Sequence, residues 1–265
     1  MIRFLFIFLW MLPFDSHAQD SLNIPFEQCD VSGSITVYDY TNNVWTFSDE
    51  ADARRETLPA STFKIINSCI ALETGAVQDE DELIRWDKEE RTFNGQPIEA
   101  WNRDNDLKSA YKNSTVWFYV ELAKRIGRAR YKEFLAQCRY GNMDLSEEDT
   151  AFWIKGDFGV SPVNQIEFLT ALYKEELPFS PRTFRIVKQL MISEQTDHYI
   201  LRDKTGWTQS GGRDIGWWVG YVERKDHVYF FATRITKDEN AVNEKFSACR
   251  KEITRTILKQ LGAIE

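Results

Sequence analysis

The sequence predicts an α+β fold, similar to a sandwich, in which both ends of the chain contribute to one antiparallel sheet. Segments rich in β-branched and aromatic residues lie near both ends, whereas apolar residues at helical spacing fill the middle. No repeat, low-complexity tract or flexible linker divides the chain. We therefore expect a single domain over residues 19–265, with helices flanking the sheet and a mostly helical middle lobe.

The predicted strands are rich in β-forming residues and are bounded by turn residues. Segments 32–40 and 44–48, separated by Thr41-Asn42-Asn43, predict a hairpin. Three later strands are predicted at 199–204, 215–223 and 228–235. The simplest arrangement joins the early and late strands in one antiparallel sheet.

The predicted helices follow from apolar residues three and four positions apart. The first begins after Pro59 and ends at Gly75, and a closing helix covers 242–261. Ser161 and Pro162 form a helix start, because serine caps the first turn and proline fits its first position. The intervening helices are predicted at about 114–126, 129–138, 162–175 and 182–193.

Residues 1–18 have the features of a secretory signal peptide. Arg3 is followed by an apolar run over residues 4–14 and by a small-residue cleavage site at Ala18. That run is shorter than the roughly 20 apolar residues that cross a bilayer. We expect cleavage after Ala18 and a periplasmic mature chain without stable membrane insertion. An uncleaved N-terminal anchor is the alternative.

The overall charge excludes several classes of partner. The chain carries a formal charge of −8 at pH 7 and no basic run, which disfavours binding to nucleic acid or anionic lipid. With 43% hydrophobic and 28% charged residues, its composition is that of an ordinary globular protein. We therefore expect a small soluble substrate and no nucleic acid partner. Both a monomer and a homodimer are compatible with the sequence.

The four cysteines are widely spaced and form no Cys-x-x-Cys pair or zinc-ligand pattern, so no metal site is predicted. An exported chain allows three pairings among them. Cys69 and Cys138, however, fall in apolar helical patterns, where a buried free thiol is the commoner state. We favour free thiols over disulfides.

The first catalytic candidate is the Ser-x-x-Lys pair formed by Ser61 and Lys64. A serine that opens a helix lies beside unpaired N–H groups, which suit a developing oxyanion. Lysine three positions later lies on the same helix face and reaches the serine oxygen as a base, provided that it is neutral. Ser109 and Lys112 have the same spacing but precede a polar stretch, whereas an apolar helix follows Ser61.

Two further motifs follow Ser61 and Lys64 along the chain, and their spacing from this pair is informative about a shared site. Ser114-Thr115-Val116 is predicted at the start of a helix, and Lys204-Thr205-Gly206 at the end of a strand, where glycine lets a substrate approach the backbone. Each motif alone is common, the first as a simple helix cap and the second as a turn. Their order and spacing after Ser61 indicate a shared site. Other catalytic patterns, including Gly-x-Ser-x-Gly, a phosphate-binding glycine loop and His-Glu-x-x-His, are absent from the sequence.

In these motifs the sequence resembles the penicillin-recognising serine enzymes, and specifically the class D β-lactamases. The valine at position 116 resembles class D members, whereas class A members have asparagine at this place in the motif. The resemblance extends from about Asp30 to the end of the chain. It also includes 101–104 (WNRD), Tyr140-Gly141-Asn142, Trp153 and 215–220 (IGWWVG).

The resemblance implies a role for each motif residue. Ser61 would attack the lactam carbonyl and form an acyl-enzyme, its backbone N–H and that of Trp207 would form the oxyanion hole, and Ser114 would pass a proton to the lactam nitrogen. The remaining implied roles are binding of the substrate, in particular its carboxylate, by Lys204, Thr205, Gly206, Trp207 and Arg250, and shaping of the cleft by Tyr140 and Asn142. For Arg250 a plain surface position is the alternative.

The resemblance also implies that Lys64 reacts with CO₂ to give N6-carboxylysine, which would act as the base in both half-reactions. Only a neutral amine adds CO₂, and an apolar pocket lowers the pKa of a lysine. Val116 and Trp153 are suitable neighbours, and the indole N–H would hold the carbamate. Core packing is the alternative role for Trp153. No other cofactor is expected, and no metal.

The implied function is hydrolysis of penicillins and oxacillin-type β-lactams, conferring resistance. The substrate range is expected to depend on the loop 208–214. One alternative is a β-lactam sensor domain, which acylates without turnover but normally follows several membrane spans. A second is a penicillin-binding transpeptidase or carboxypeptidase, and a third is a non-catalytic structural domain.

Overall fold

The computed structural model describes residues 16–93 and 95–265, with the side chains of residues 16–20 left out. Most of the predicted signal peptide therefore lies outside the described residues. The helices are α1 Ser16–Gln28, α2 Glu50–Ala53, α3 Lys64–Glu73, α4 Leu107–Asn113, α5 Val116–Ile126, α6 Arg128–Cys138, α7 Pro162–Lys174, α8 Pro181–Leu190 and α9 Phe246–Gln260. The strands are β1 Ser32–Asp39, β2 Val44–Phe47, β3 Thr92–Phe93, β4 Gln96–Pro97, β5 Ile192–Gln195, β6 Tyr199–Ser210, β7 Arg213–Arg224 and β8 Val228–Asp238.

Six strands form one antiparallel sheet in the order β2-β1-β8-β7-β6-β5. The early hairpin joins the late strands through β1 and β8, where Ile35 is opposite Thr233. The predicted α+β fold, with a sheet built from both ends of the chain, is confirmed. Strands β3 and β4 form a separate small hairpin within the helical lobe.

The sheet is buried on both faces. Successive residues of a strand point to opposite faces, so the adjacent Trp217 and Trp218 of β7 belong to different apolar clusters. Trp218 packs in the cluster formed with α1 and α9, which includes Phe26 and Ile253. Trp217 packs in the larger cluster formed with the helical lobe, which includes Phe63. The domain thus has three layers, with the sheet between the helical lobe on one face and helices α1 and α9 on the other.

Several boundaries differ from the sequence predictions. Helices α1 and α4 were not predicted, and α8 ends at Leu190, so that residues predicted as its last turn form β5 instead. Strand β6 continues to Ser210, which places Lys204-Thr205-Gly206 inside a strand rather than at its end. The predicted loop 208–214 is mostly strand, closed by a two-residue turn at Gly211 and Gly212 with positive φ angles.

The preference for free thiols at all four cysteines was wrong for one pair. Cys29, just after α1, forms a disulfide with Cys249 of α9, with their Cα atoms 5.9 Å apart. The packing of α1 on α9 brings together two residues that are distant in the sequence. Cys69 and Cys138 are buried free thiols, as predicted. In residues 16–93 and 95–265, no helix has the length and apolar character needed to cross a membrane.

Candidate active site

Ser61 lies on a tight turn at the start of α3. Residues Ala60–Phe63 form a 3₁₀ turn that continues directly into the helix. Ala60 has a φ of 51°, an unusual value for a residue with a Cβ, and its N–H donates to the Trp153 carbonyl at 2.9 Å. The Thr62 hydroxyl donates to the Pro59 carbonyl at 2.7 Å. These bonds hold the half-buried serine at the edge of a cleft.

Lys64 is fully buried, and its Nζ lies 2.8 Å from Ser61 Oγ. Burial lowers the pKa of this amine well below 10.5, and the nearby charge of Lys204 lowers it further. The Tyr119 ring lies 5.1 Å from the same nitrogen, and sequence reasoning missed this neighbour. A neutral amine in contact with a hydroxyl is an arrangement that removes the hydroxyl proton.

Ser114 occupies a left-handed position between α4 and α5, with a φ of 57°. It therefore caps the end of α4, rather than the start of a helix as predicted, while Thr115 precedes α5. The Ser114 hydroxyl is buried and has no hydrogen-bond partner among the described residues. Ser114, Val116 and Ser61 all line the same cleft.

Lys204-Thr205-Gly206 of β6 faces the turn that carries Ser61. A Cβ on Gly206 would lie 2.9 Å from the Pro59 carbonyl oxygen, so only glycine permits this approach of strand and turn. Burial lowers the pKa of Lys204 to about 7, with Asp203 opposing this effect and Arg250 adding to it. The Lys204 Nζ donates to the Thr205 carbonyl at 3.1 Å and lies 5.6 Å from the Tyr111 ring.

Arg250 of α9 reaches the same end of the cleft. It is 9% exposed, lines the cleft and donates to the Gly206 carbonyl at 2.5 Å, so it is not a plain surface arginine. A second bond, at 3.1 Å, goes to the Ser247 hydroxyl. Burial lowers the pKa of the guanidinium to about 10, which leaves it charged at neutral pH. Lys204, Thr205 and Arg250 together form a cationic and hydroxyl-bearing end of the site.

Trp153 is fully buried, and its ring stacks on Phe63 at 5.2 Å between centroids. Its indole N–H has no hydrogen-bond partner in the part of the chain that the structure describes. A buried donor without an acceptor is costly, and such groups often mark the place of a bound or covalently attached acceptor. The stacking agrees with a packing role for the ring. A packing role does not explain the unpaired N–H.

Tyr140 and Asn142 lie behind the cleft rather than on its walls. The buried Tyr140 hydroxyl donates to Gln165 at 3.1 Å, and the Gln165 amide donates to the Thr62 hydroxyl at 2.8 Å. Tyr140 thereby supports the turn that carries the nucleophile. Asn142 is exposed. It donates to the Asp157 carbonyl at 2.8 Å and thereby holds the loop that precedes α7. Both residues therefore support the cleft from behind and do not line it.

The cleft has a volume of about 1020 Å³. Its floor and charged end carry Ser61, Ser114, Thr205 and Arg250. Its upper walls are aromatic, with Phe93, Trp101, Trp117 and Trp207. Of the wall residues, the sequence analysis assigned a role only to Trp207, although Trp101 belongs to the 101–104 motif that supports the family resemblance. Such a cleft binds a small anionic molecule with an apolar part.

The model of the Penicillin binding protein transpeptidase domain matches residues 33–259. The β-lactamase OXA-3 of Pseudomonas aeruginosa is 41% identical over 241 residues, which cover 90% of this chain and 83% of that protein. The β-lactamase OXA-48 of Klebsiella pneumoniae is 39% identical over 240 residues, which cover 91% and 87%.

Among solved structures, the class D β-lactamase from Sebaldella termitidis matches with a TM-score of 0.88 and 43% identity, over 92% of this chain and 97% of that one. The chain belongs to the class D serine β-lactamases. Because the match covers 92% of this chain with a TM-score of 0.88, this class D enzyme shares its fold with that structure.

Proposed function

We propose that this class D enzyme hydrolyses β-lactams through an acyl-enzyme on Ser61, with Lys64 as the base. The observation that carries the proposal is the contact of 2.8 Å between a fully buried lysine amine and a serine hydroxyl that opens onto a cleft. Burial lowers the pKa of the amine well below 10.5 and so favours the neutral form, which is able to accept a proton.

The proposed acylation begins when Lys64 accepts the Ser61 proton and the serine oxygen bonds to the lactam carbonyl carbon. The backbone N–H groups of Ser61 and Trp207 would bind the carbonyl oxygen as it becomes negative. The C–N bond of the lactam then breaks, and Ser114 gives its hydroxyl proton to the nitrogen while it takes back the proton held by Lys64, so that both residues return to their starting states. Water hydrolyses the resulting ester and regenerates the Ser61 hydroxyl.

The charged end of the cleft supports binding of the carboxylate that penicillins carry. Arg250 keeps its charge at neutral pH, and the Thr205 hydroxyl offers a further donor. Lys204, with a pKa of about 7, adds a positive charge that anion binding would strengthen. These three residues would orient the lactam carbonyl toward Ser61.

We also propose that Lys64 carries a carbamate formed with CO₂. The site fits this group, because the buried Trp153 N–H and Ser114 hydroxyl lack partners among the described residues. A neutral lysine amine, which the buried position favours, is the form that reacts with CO₂. When present, the carbamate would supply a carboxylate base on Lys64 for both half-reactions, toward the Ser61 proton in acylation and toward water in deacylation. Trp153 would hold it through the indole N–H.

We further propose export to the periplasm and a role in β-lactam resistance. The signal-like residues 1–18 and the disulfide between Cys29 and Cys249 support an oxidising compartment outside the cytoplasm. Expression of the full chain in a susceptible bacterium is expected to raise the inhibitory concentration of oxacillin, whereas Ser61→Ala should not.

The test of the catalytic proposal is oxacillin hydrolysis by the purified mature protein, measured with and without bicarbonate. We expect many turnovers per molecule, with faster sustained rates when bicarbonate is added. A single turnover followed by a stable acyl-enzyme would indicate a sensor domain. Cleavage of a D-Ala-D-Ala peptide without β-lactam turnover would indicate a carboxypeptidase. Either result would overturn the proposal.

A further inference from the structure

Asp214 lies near the start of β7, next to the two-glycine turn, and is only 3% exposed. A carboxylate so deeply buried requires partners for its charge. One oxygen accepts a hydrogen bond from the indole N–H of Trp207 at 2.8 Å, and the other lies 2.5 Å from Lys237 Nζ. The carboxylate thus connects the cleft wall on β6 with a lysine on β8.

The position of Lys237 is itself defined by several contacts. Its amine donates to the Ala241 carbonyl at 2.8 Å and to the Asp238 carbonyl at 3.1 Å. The same amine lies 5.5 Å from the Phe246 ring of α9. Because Lys237 is held in this way, Asp214 is fixed from the side opposite Trp207.

The Trp207 ring packs between two elements that approach the cleft from different directions. On one side the Phe246 ring lies at 5.2 Å, and on the other the Phe93 ring of the β3–β4 hairpin lies at 5.2 Å in an edge arrangement. Across the strands Trp207 is opposite Gly216, two residues after Asp214, so the carboxylate is a diagonal neighbour of the indole. Trp207 is half-buried and lines the cleft.

We propose that Asp214 is a positioning residue for substrate recognition, because it fixes the Trp207 indole against Phe93 as an apolar wall for the substrate's side chain. A charge-assisted hydrogen bond removes the rotational freedom that a half-exposed indole would otherwise keep. The wall would contact the variable apolar side chain of a β-lactam and not the reacting atoms. The inference rests on the proposed β-lactam hydrolysis.

The test compares two substrates that share the carboxylate and the lactam ring. Oxacillin carries a bulky aromatic side chain, whereas 6-aminopenicillanic acid lacks one. With Asp214→Ala we expect the KM for oxacillin to rise about five-fold. This is the effect expected when one hydrogen bond that orients the Trp207 indole is lost. The kcat should stay within about two-fold, and the KM for 6-aminopenicillanic acid should remain near the wild-type value.

A double-mutant cycle separates positioning from general destabilisation. Trp207→Phe keeps an aromatic ring but removes the N–H, and it should raise the oxacillin KM to a similar extent. Because Asp214 acts through Trp207, the double variant should be no worse than either single variant. Additive effects, equal changes for both substrates, or a wild-type oxacillin KM in Trp207→Phe would overturn the proposal.

Two further variants serve as controls for this experiment. Asp214→Asn keeps an oxygen acceptor for the indole and should fall between wild type and Asp214→Ala, and it serves if the alanine variant does not fold. Asp226→Asn removes the same charge from an exposed position between β7 and β8 and should leave both KM values unchanged. A wild-type protein that does not turn over either substrate would instead contradict the proposed function.

Discussion

The amine of Lys64 lies 2.8 Å from the hydroxyl oxygen of Ser61, and the lysine side chain has no exposure to solvent. Burial is the main cause of its lowered pKa, and the charge of Lys204 adds to it. Although both lysines are buried, the proposed mechanism gives them different roles. Lys64 would accept a proton, and Lys204 would contribute charge to the end of the cleft proposed to bind the substrate carboxylate.

Ser61→Ala is expected to abolish covalent labelling by a fluorescent penicillin, because it removes the hydroxyl proposed as the nucleophile. Gel fluorescence after denaturation measures the labelling. Ser109→Ala is the matched control, since Ser109 has the same spacing to a lysine but its hydroxyl belongs to the cap of α4. That variant should lose about 1 kcal/mol of stability and still be labelled. Labelling of Ser61→Ala would show that the nucleophile is another residue.

Trp153→Phe should keep acylation but slow deacylation about ten-fold or more, because the variant loses the donor proposed to hold the carbamate. Added bicarbonate should restore part of the rate. Trp45→Phe, a half-buried tryptophan of β2, is the control and should respond to bicarbonate as the wild type does. Pre-steady-state kinetics separate the two steps. Wild-type deacylation by Trp153→Phe without bicarbonate would contradict the proposed role.

Lys64→Met is expected to inactivate the enzyme and yet stabilise its fold. Burial holds the pKa of Lys64 in the folded protein well below its value in the unfolded chain, so wild-type stability rises with pH between the folded value and the unfolded value near 10.5. We expect a gain of about 1–2 kcal/mol for Lys64→Met at pH 7.

This gain should shrink as pH increases, because deprotonating the wild-type lysine then costs less. Urea unfolding at about pH 7 and about pH 9.5 measures the difference. Lys112→Met, at an exposed position of α4, should show little change at either pH. A gain that does not depend on pH would mean that Lys64 is charged in the folded protein.

Cys29→Ser should lower the free energy of unfolding by about 2–5 kcal/mol, because the disulfide closes a very long loop in the unfolded chain. Reductant should lower the stability of the wild type to the same level and leave the variant unchanged. In denaturant without reductant, thiol titration should find the two free thiols of Cys69 and Cys138. Four reactive thiols would contradict the pairing.

The residues nearest the chemistry could be predicted from the sequence because their relationship is local or fixed by motif order. Ser61 and Lys64 are one helical turn apart, so their contact follows from helix geometry. Tyr140 was predicted to shape the cleft, but its bond to Gln165 behind the turn could not be predicted, because it depends on the packing of α7.

The contacts that could not be predicted join segments far apart in the chain. Neither Cys29 nor Asp214 has a neighbouring residue that indicates its partner, and both partners are brought close by the sheet and by α9. Strand β6 was predicted too short because Gly206 and the polar residues after it resemble a turn. Its pairing with β7 overrides that local preference.

The pairing of β1 with β8 has a consequence for the timing of activity. Ser61 is synthesised early, but the strand that joins β1 to the rest of the sheet ends at Asp238, and Arg250 follows it in α9. A partly synthesised chain would hold Ser61 without Arg250 and the end of the cleft that Arg250 forms. The enzyme therefore becomes competent only when its last helix is in place, so truncation from the C-terminus should be tolerated far less than the distance from Ser61 would suggest.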